Sequence, residues 1–366
     1  MNILFLTLID IKTIDEAGIY QDLMREFVKK GHNVYIVSPV ERRFNEEERV
    51  IQNKDCTILK VKIGNTQKTN LIEKGISTLL LEGQFKSAIK KYFGDKRFDL
   101  VLYSTPPITF AKVIEYIKRR DNAKTYLLLK DIFPQNAVDL EMFSKKSLIY
   151  KFFRKKEKEL YRISDYIGCM SQVNVDHVLD HNPEIRKDKV HVNPNTIEVS
   201  EQDVNKAEIP LIREKYNIPK DRTVFVYGGN LGKPQGIPFL IQCLAANEQK
   251  TDRYFVICGS GTEYKALEEY IEKNKPENVL LINGLPKVDY EALVSACDVG
   301  LIFLDHRFTI PNFPSRLLSY MQNSMPVIAC TDPNTDIGTV ITEGGFGWWC
   351  ESNCATDFTA LVDQAC

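Results

Sequence analysis

No run of about 18 consecutive apolar residues occurs in this chain, which excludes a membrane-spanning helix. The first residues, MNILFLTL, are apolar but have neither a basic leader region nor a small-residue cleavage site, so they read as a strand and not as a signal peptide. No Cys-x-x-Cys pair exists among the nine cysteines, which scatter from Cys56 to Cys366. An odd, unpatterned set argues against a disulfide framework and for reduced thiols in a cytoplasm, most of them filling core positions. Histidines number only five, and the one pair at helical spacing, His177 and His181, reads as a polar helix face rather than a zinc site. Neither Asp-x-Asp, which would hold a divalent ion on a diphosphate, nor a Gly-x-Ser-x-Gly nucleophile elbow is present. Low-complexity tracts and repeats of 20–50 residues are missing too, which removes disordered tails and solenoids.

What is there is globular: 366 residues, 43% hydrophobic and 27% charged, enough for two domains of ordinary size. The net charge of −1 hides an asymmetry, because residues 1–200 hold 34 Lys and Arg against 27 Asp and Glu, and the remainder 14 against 22. A basic half suggests an anionic partner, with nucleic acid and anionic membrane both candidates.

After the first strand come a loop, Ile9 to Ala17, then Gly18 and an amphipathic helix within GIYQDLMREFVKKGH, followed by the strand Val34–Val37: a βαβ unit. Further strands are expected at Thr57–Ile63, Leu100–Tyr103, Thr125–Leu129, Tyr166–Met170 and Lys189–Val192. The polar, acidic stretch TIEVSEQDVNKAEIP interrupts the alternation. We place a first domain at residues 1–197, a linker at 198–209 and a second domain at 210–366. The second restarts with strands at Thr223–Tyr227, Tyr254–Cys258, Val279–Ile282, Val299–Phe303 and Pro326–Ala329, with helices after the first four. The expected fold is α/β: two tandem Rossmann-like, doubly wound parallel-sheet domains facing a cleft, with ligands beyond the carboxyl ends of the strands.

Several strand ends carry chemistry. In PNFPSRLLSYMQNSMPVIA, Pro314 suits a first helical turn, a helix is expected from Ser315 to Gln322, and Leu317, Leu318 and Met321 supply its buried face. Arg316 at that helix start favours an anion, the alternative being an ordinary helix with a surface arginine. The strand Thr223–Tyr227 runs into Gly228, Gly229, Asn230, Leu231, Gly232 and Lys233, neither a Walker A loop nor Gly-x-Gly-x-x-Gly. Such a turn either cradles an anion or is simply tight. A second glycine turn, Gly259-Ser260-Gly261, could pass a base or ribose or be structural. Lys130 and Asp131 end a buried strand as an ion pair, with capping of the next segment the alternative for Asp131. In KSLIYKFFRKKEKELYR, Leu148, Ile149, Phe152, Phe153 and Leu160 share a face, and Lys151, Arg154, Lys155, Lys158 and Arg162 take much of the rest. That pattern suits either an in-plane membrane contact or packing on the domain's own sheet; no nucleic-acid module accompanies it.

Taken in order, GIYQDLMREFVKKGHNVYIVS, STPP, KDIFP, VNPNTI, YGGNLGKPQGI, ICGSGTEYKALE, LINGLP and FPSRLLSYMQNSMPVIA resemble the retaining glycosyltransferases of family 4, of GT-B fold, over nearly the whole chain. The likeness is strongest to the branch acting in O-antigen and capsule assembly. It implies a nucleotide diphosphosugar, UDP-linked, as co-substrate with no metal, and a polyprenyl-diphosphate-linked saccharide as acceptor at the inner face of the plasma membrane. Lys233, Arg316 and Asp131 become the expected catalytic residues. Gly18, Gly228, Gly229, Asn230, Gly232, Gly259, Ser260, Pro314, Ser315 and Ser319 become the donor set, and Lys151, Phe152, Phe153, Arg154 and Lys155 the acceptor or membrane contact. Lys130 stands where the family often has histidine. The family's Glu-x7-Glu pair falls on Pro311 and Ser319, and its loop Arg and Lys on Asn230 and Gln235, so Lys233 and Arg316 are left with more of the leaving-group charge. A sugar-nucleotide 2-epimerase of the same fold and a non-catalytic partner subunit are the rival readings.

Overall fold

The structure, a computed structural model, describes residues 1–53, 56–66, 69–199 and 208–366. It divides into two compact units, Met1–Glu198 and Val199–Cys366. Of the expected linker, residues 200–207 lie outside the described residues.

The first unit runs β1 (Asn2–Leu6), α1 (Ile19–Lys29), β2 (Asn33–Glu41), β3 (Arg49–Gln52), β4 (Cys56–Ile63), α2 (Leu71–Tyr92) and β5 (Leu100–Ser104). It continues with α3 (Ala111–Asp121), β6 (Lys124–Leu129), α4 (Gln135–Asp139), α5 (Leu148–Ile163), β7 (Tyr166–Cys169), α6 (Gln172–His181) and β8 (Val190–Val192). Its sheet has the order β3-β4-β2-β1-β5-β6-β7-β8, parallel throughout except for the antiparallel pair β3–β4. Side chains alternate across it as a strand requires: Leu4 and Leu6 pack on the face covered by α2, α3, α5 and α6, and Phe5 packs on the other with Tyr20 and Met24 of α1.

The second unit runs α7 (Ile209–Lys215), β9 (Thr223–Asn230), α8 (Ile237–Ala246), β10 (Arg253–Ser260), α9 (Tyr264–Asn274), β11 (Val279–Ile282) and α10 (Lys287–Ser295). Then follow β12 (Val299–Phe303), α11 (Arg316–Gln322), β13 (Val327–Thr331), α12 (Ile337–Glu343), β14 (Gly347–Glu351) and α13 (Ala355–Ala365). The sheet order β11-β10-β9-β12-β13-β14 is entirely parallel. Phe225 and Tyr227 face a core with α8, α9 and α13, while Val224 and Val226 face one with α10, α11 and α12. Both units are doubly wound, as the βα alternation predicts.

Three elements differ from expectation. The strand β3 is an extra edge, largely exposed and rich in polar residues, so it carries no apolar run to betray it. At the other end, β14 pairs with β13 from Val327↔Gly347 to Thr331↔Glu351 and extends the second sheet past the last expected strand. In α11 the buried residues are Leu317 and Tyr320, and Met321 is exposed. Tyr320 reaches across Gly300, where a Cβ would meet its ring at 2.5 Å, and donates to the carbonyls of Val226 and Leu301 at 3.1 and 3.0 Å. All nine cysteines are free thiols, seven of them buried. Among the described residues no helix is long and apolar enough to cross a membrane.

Candidate functional site

Strands β9 and β10 stay in register past their apolar cores, through Gly229↔Gly259 and Asn230↔Ser260. The two glycine turns therefore lie side by side at the carboxyl edge of the second sheet. A Cβ at Gly259 would fall 2.0 Å from the Gly229 carbonyl oxygen, and one at Gly228 would fall 1.9 Å from the Tyr290 hydroxyl. Close packing thus accounts for Gly228 and Gly259. Gly229 has φ +123 and lies exposed at the edge with Asn230 and Ser260. Gln235 Oε1 accepts from Asn230 Nδ2 at 2.8 Å and from the N–H of buried Gly232 at 3.2 Å, so the turn is cross-linked from within. Lys233 is exposed on the short 3-10 turn that follows, and its ammonium has no ion-pair partner among the described residues.

Arg316 is the unusual group. Its guanidinium lies over the Tyr227 ring, 4.1 Å from the centroid, and Nη2 is 3.0 Å from where a Cβ on Gly229 would stand. The Tyr227 hydroxyl donates to the Asn230 carbonyl at 2.7 Å, which locks the ring under the arginine. Nη1 is buried and has no hydrogen-bond partner. Burial raises the Tyr227 phenol despite the arginine beside it, and pushes Tyr290 up to about 12, so both stay neutral and neither offers a counter-charge. No carboxylate among the described residues pairs with Arg316. Desolvating a cation without a partner is unfavourable, and an arriving anion would remedy it. Pro314 is half-buried, Ser315 is exposed with no side-chain cap bond, and Ser319 is half-buried, its carbonyl taking Asn323 Nδ2 at 2.8 Å.

The same edge holds Asp305, His306 and Arg307, which the sequence reading passed over. Asp305 is buried at the end of β12, its N–H donating to the Pro234 carbonyl at 3.0 Å. Burial raises its carboxyl, but Arg307 outweighs this with bonds from its backbone N–H (3.0 Å), Nε (2.9 Å) and Nη2 (2.9 Å), and holds it below the usual range. Charged residues straight after an apolar strand were the available signal, the same one that drew attention to Lys130 and Asp131.

In the first unit, Lys130 and Asp131 are not an ion pair. Successive residues of an extended chain point opposite ways. Lys130 Nζ donates to the Asn193 carbonyl at 3.3 Å, and burial lowers its pKa to about 8. Asp131 accepts from Asn136 Nδ2 at 2.9 Å, and burial raises its carboxyl. The start of α4 has no side-chain cap. Gly18 donates its N–H to Asp22 Oδ1 at 2.9 Å, so the N-terminus of α1 already holds a carboxylate. Its extended φ of 168 does not demand glycine.

On α5 the expected contact set splits. Phe153 is half-buried and packs against the core, edge-on to Phe133 at 4.9 Å. Arg154 is committed to Glu157 (2.6 Å), the His181 carbonyl (2.8 Å) and Asn182 Oδ1 (2.7 Å). Only Lys151, Phe152 and Lys155 remain exposed, because the helix buries the face of Glu157, Leu160 and Tyr161 against the sheet. Among the described residues no group of three or more His, Cys, Asp or Glu side chains is arranged to hold a metal ion.

Comparison with known proteins fits this geometry. Residues 19–201 match the family described as Glycosyltransferase Family 4, and residues 208–366 match Glycosyl transferases group 1. The probable glycosyltransferase WbjE of Pseudomonas aeruginosa is 25% identical over 312 residues, 83% of this chain and 75% of that protein. Among solved structures, a trehalose-6-phosphate protein from E. coli bound with UDP-2-fluoro glucose superposes with TM-score 0.73 at 10% identity, over 100% of this chain and 91% of that one. Anabaena Alr3699/HepE in complex with UDP superposes with TM-score 0.67 at 15% identity, over 100% and 89%. With both halves matched in order, the chain belongs to the glycosyltransferases of GT-B fold, a Glycosyltransferase Family 4 domain followed by a Glycosyl transferases group 1 domain.

Proposed function

We propose that this glycosyltransferase moves a sugar from a UDP-linked diphosphosugar to a polyprenyl-diphosphate-linked saccharide, with retention of anomeric configuration, in O-antigen or capsule assembly at the cytoplasmic face of the plasma membrane. The observation that carries the donor half of this reading is Arg316: a half-buried guanidinium without a carboxylate, its buried Nη1 unpartnered, beside the exposed Gly229 backbone at the carboxyl edge of a parallel sheet. A diphosphate supplies the missing charge. Two structures of like fold carry UDP or a UDP-sugar, which agrees with the choice of nucleotide.

Sugar transfer is limited by expelling a diphosphate while positive charge grows on the anomeric carbon. Donors held ready at the departing oxygen lower that barrier most, because they need no reorganisation as charge develops. Arg316 and Lys233 take that role, with Gly229, Asn230, Ser260, Ser315 and Ser319 around the nucleotide. Asp131, with its raised pKa, stands by the acceptor hydroxyl or the donor sugar. On α5, Lys151, Phe152 and Lys155 meet the acceptor diphosphate or the lipid around it.

A thermal-shift panel of nucleotides tests the donor, since a ligand raises stability according to its affinity. UDP and UDP-sugars are expected to raise the midpoint, and free UDP to appear only when lipid-linked acceptor is added. A new sugar isomer formed from donor alone would instead mark an epimerase. Donor binding with no UDP release even with acceptor would mark a non-catalytic subunit.

A further inference from the structure

Of the three phenols gathered about Arg316, two are spent on backbone. Tyr227 donates to the Asn230 carbonyl at 2.7 Å, and Tyr320 to those of Val226 and Leu301 at 3.1 and 3.0 Å. Tyr290 is different. Its hydroxyl has no hydrogen-bond partner among the described residues, yet it is not one of the side-chain atoms sealed from solvent without one. A polar group stays in that condition where water or a ligand can reach it.

Topology explains where this hydroxyl stands. In the sheet, β10 and β9 lie between β11 and β12, so the connecting helix α10 has to pass over both. It does so on the face of Val224 and Val226, against which the half-buried Tyr290 ring packs. Tyr290 ends the first turn of α10, its N–H donating to the Pro286 carbonyl at 2.9 Å, near the carboxyl edge where the chain leaves β11. A Cβ on Gly228 would stand 1.9 Å from the Tyr290 hydroxyl and 2.3 Å from Cζ and Cε2, so the tip of the phenol covers that glycine. On the next residue, Gly229, Arg316 Nη2 is 3.0 Å from the equivalent point. Consecutive Cα atoms are about 3.8 Å apart. Hydroxyl and guanidinium therefore border adjoining residues of one turn.

Burial pushes the phenol up to about 12 against the pull of the Arg316 guanidinium, so at neutral pH the oxygen keeps its proton and feels a cation nearby. A neutral O–H beside a guanidinium that lacks a carboxylate offers a hydrogen and a charge to the same visitor. Packing accounts for the ring but gives the hydroxyl no task. An anionic oxygen seated against Gly229 gives it one.

We propose that Tyr290 is a further donor-binding residue, its hydroxyl donating to a diphosphate oxygen of the nucleotide that Arg316 receives. This rests on the proposed function, because it needs the diphosphate at Arg316. The two groups divide the work: the guanidinium supplies charge, and the phenol, held on a packed ring, supplies direction with little freedom left to lose. Charge on the diphosphate grows as the sugar departs, and the hydrogen bond strengthens with it.

Tyr290→Phe removes the oxygen and keeps the ring. Calorimetric titration of the full chain with UDP, and competition by uridine, which has no phosphate, isolate the contact. Affinity for UDP should fall about tenfold, the loss of one hydrogen bond to a charged group, while uridine affinity and the thermal midpoint stay at wild-type values. Arg316→Ala is read beside it. If Arg316→Ala loses UDP and Tyr290→Phe binds it like wild type, the inference is overturned and the proposed function stands. If only Tyr290→Phe weakens UDP, the role given to Arg316 fails and the hydroxyl contact stands. If neither variant changes UDP binding, or wild type does not bind UDP, both fall. If Tyr290→Phe weakens UDP and uridine by the same factor, or melts well below wild type, the hydroxyl serves the nucleoside or the fold, and the inference is overturned.

Discussion

Replacing Arg316 by Ala separates a ligand-binding arginine from a structural strut. In the ligand-free protein the stack on Tyr227, at 4.1 Å, contributes about 0.5–2 kcal/mol. Against it stands the unpartnered, buried Nη1, whose desolvation costs about 1–3 kcal/mol. The two are similar in size and opposite in sign, so Arg316→Ala should change stability by only about 1 kcal/mol in either direction. For a domain of this size that is a shift of about 2–4 °C in the thermal midpoint. Binding should behave otherwise. A charge-assisted contact to a diphosphate contributes about 1.5–3 kcal/mol, so affinity for UDP should fall about 10–150-fold and turnover about 10²-fold. Arg316→Lys keeps the charge but loses the planar stack, and should recover only part of the affinity. Calorimetric titration with UDP and differential scanning calorimetry read the two effects separately. A variant that binds UDP as tightly as wild type while losing more than about 3 kcal/mol of stability would refute the assignment.

Other expectations follow from the same contacts. Gly259→Ala should destabilise the second unit by about 1–3 kcal/mol in urea melts, because the new Cβ meets backbone, not a mobile side-chain tip. Phe153→Ala should cost about 2–3 kcal/mol and Phe152→Ala under about 1 kcal/mol, measured by chemical denaturation, since only the former ring packs against the core. For Lys130, the unfolded chain keeps its proton up to the ordinary value of 10.5 while the folded side chain releases it at about 8. Between those values the unfolded state binds the extra proton, so the wild type gains stability as pH rises, whereas Lys130→Met lacks this contribution. Denaturation of both proteins from pH 7 to pH 10 should show any advantage of the variant shrinking through that window; a constant difference would contradict the shift.

Much of the scaffold is written locally. A strand such as Leu127–Leu129 is a short apolar run, and α1 an amphipathic one between Gly18 and Gly31, so propensity and periodicity place them without reference to the rest of the chain. The strand β3 was invisible because Arg49, Val50 and Gln52 are exposed and carry no buried alternation. Which face of α11 is buried turned on Gly300, sixteen residues or more away, leaving room for Tyr320.

From the order of its residues alone, this protein's α/β class, its two-part division of strands and helices, the glycine turns at strand ends and Arg316 at a helix start could be read, because each rests on neighbours a few positions apart. Only the folded arrangement showed that Gly228 and Gly259 answer to packing, that Phe153 leans on the core while Arg154 is tied to Glu157 and Asn182, and that Lys130 and Asp131 part company. It also showed that Arg316 sits on Tyr227 with one nitrogen unanswered. Those outcomes depend on atoms brought within a few ångströms from distant parts of the chain, and short-range repulsion, burial and unpaired charge act only once that approach has happened.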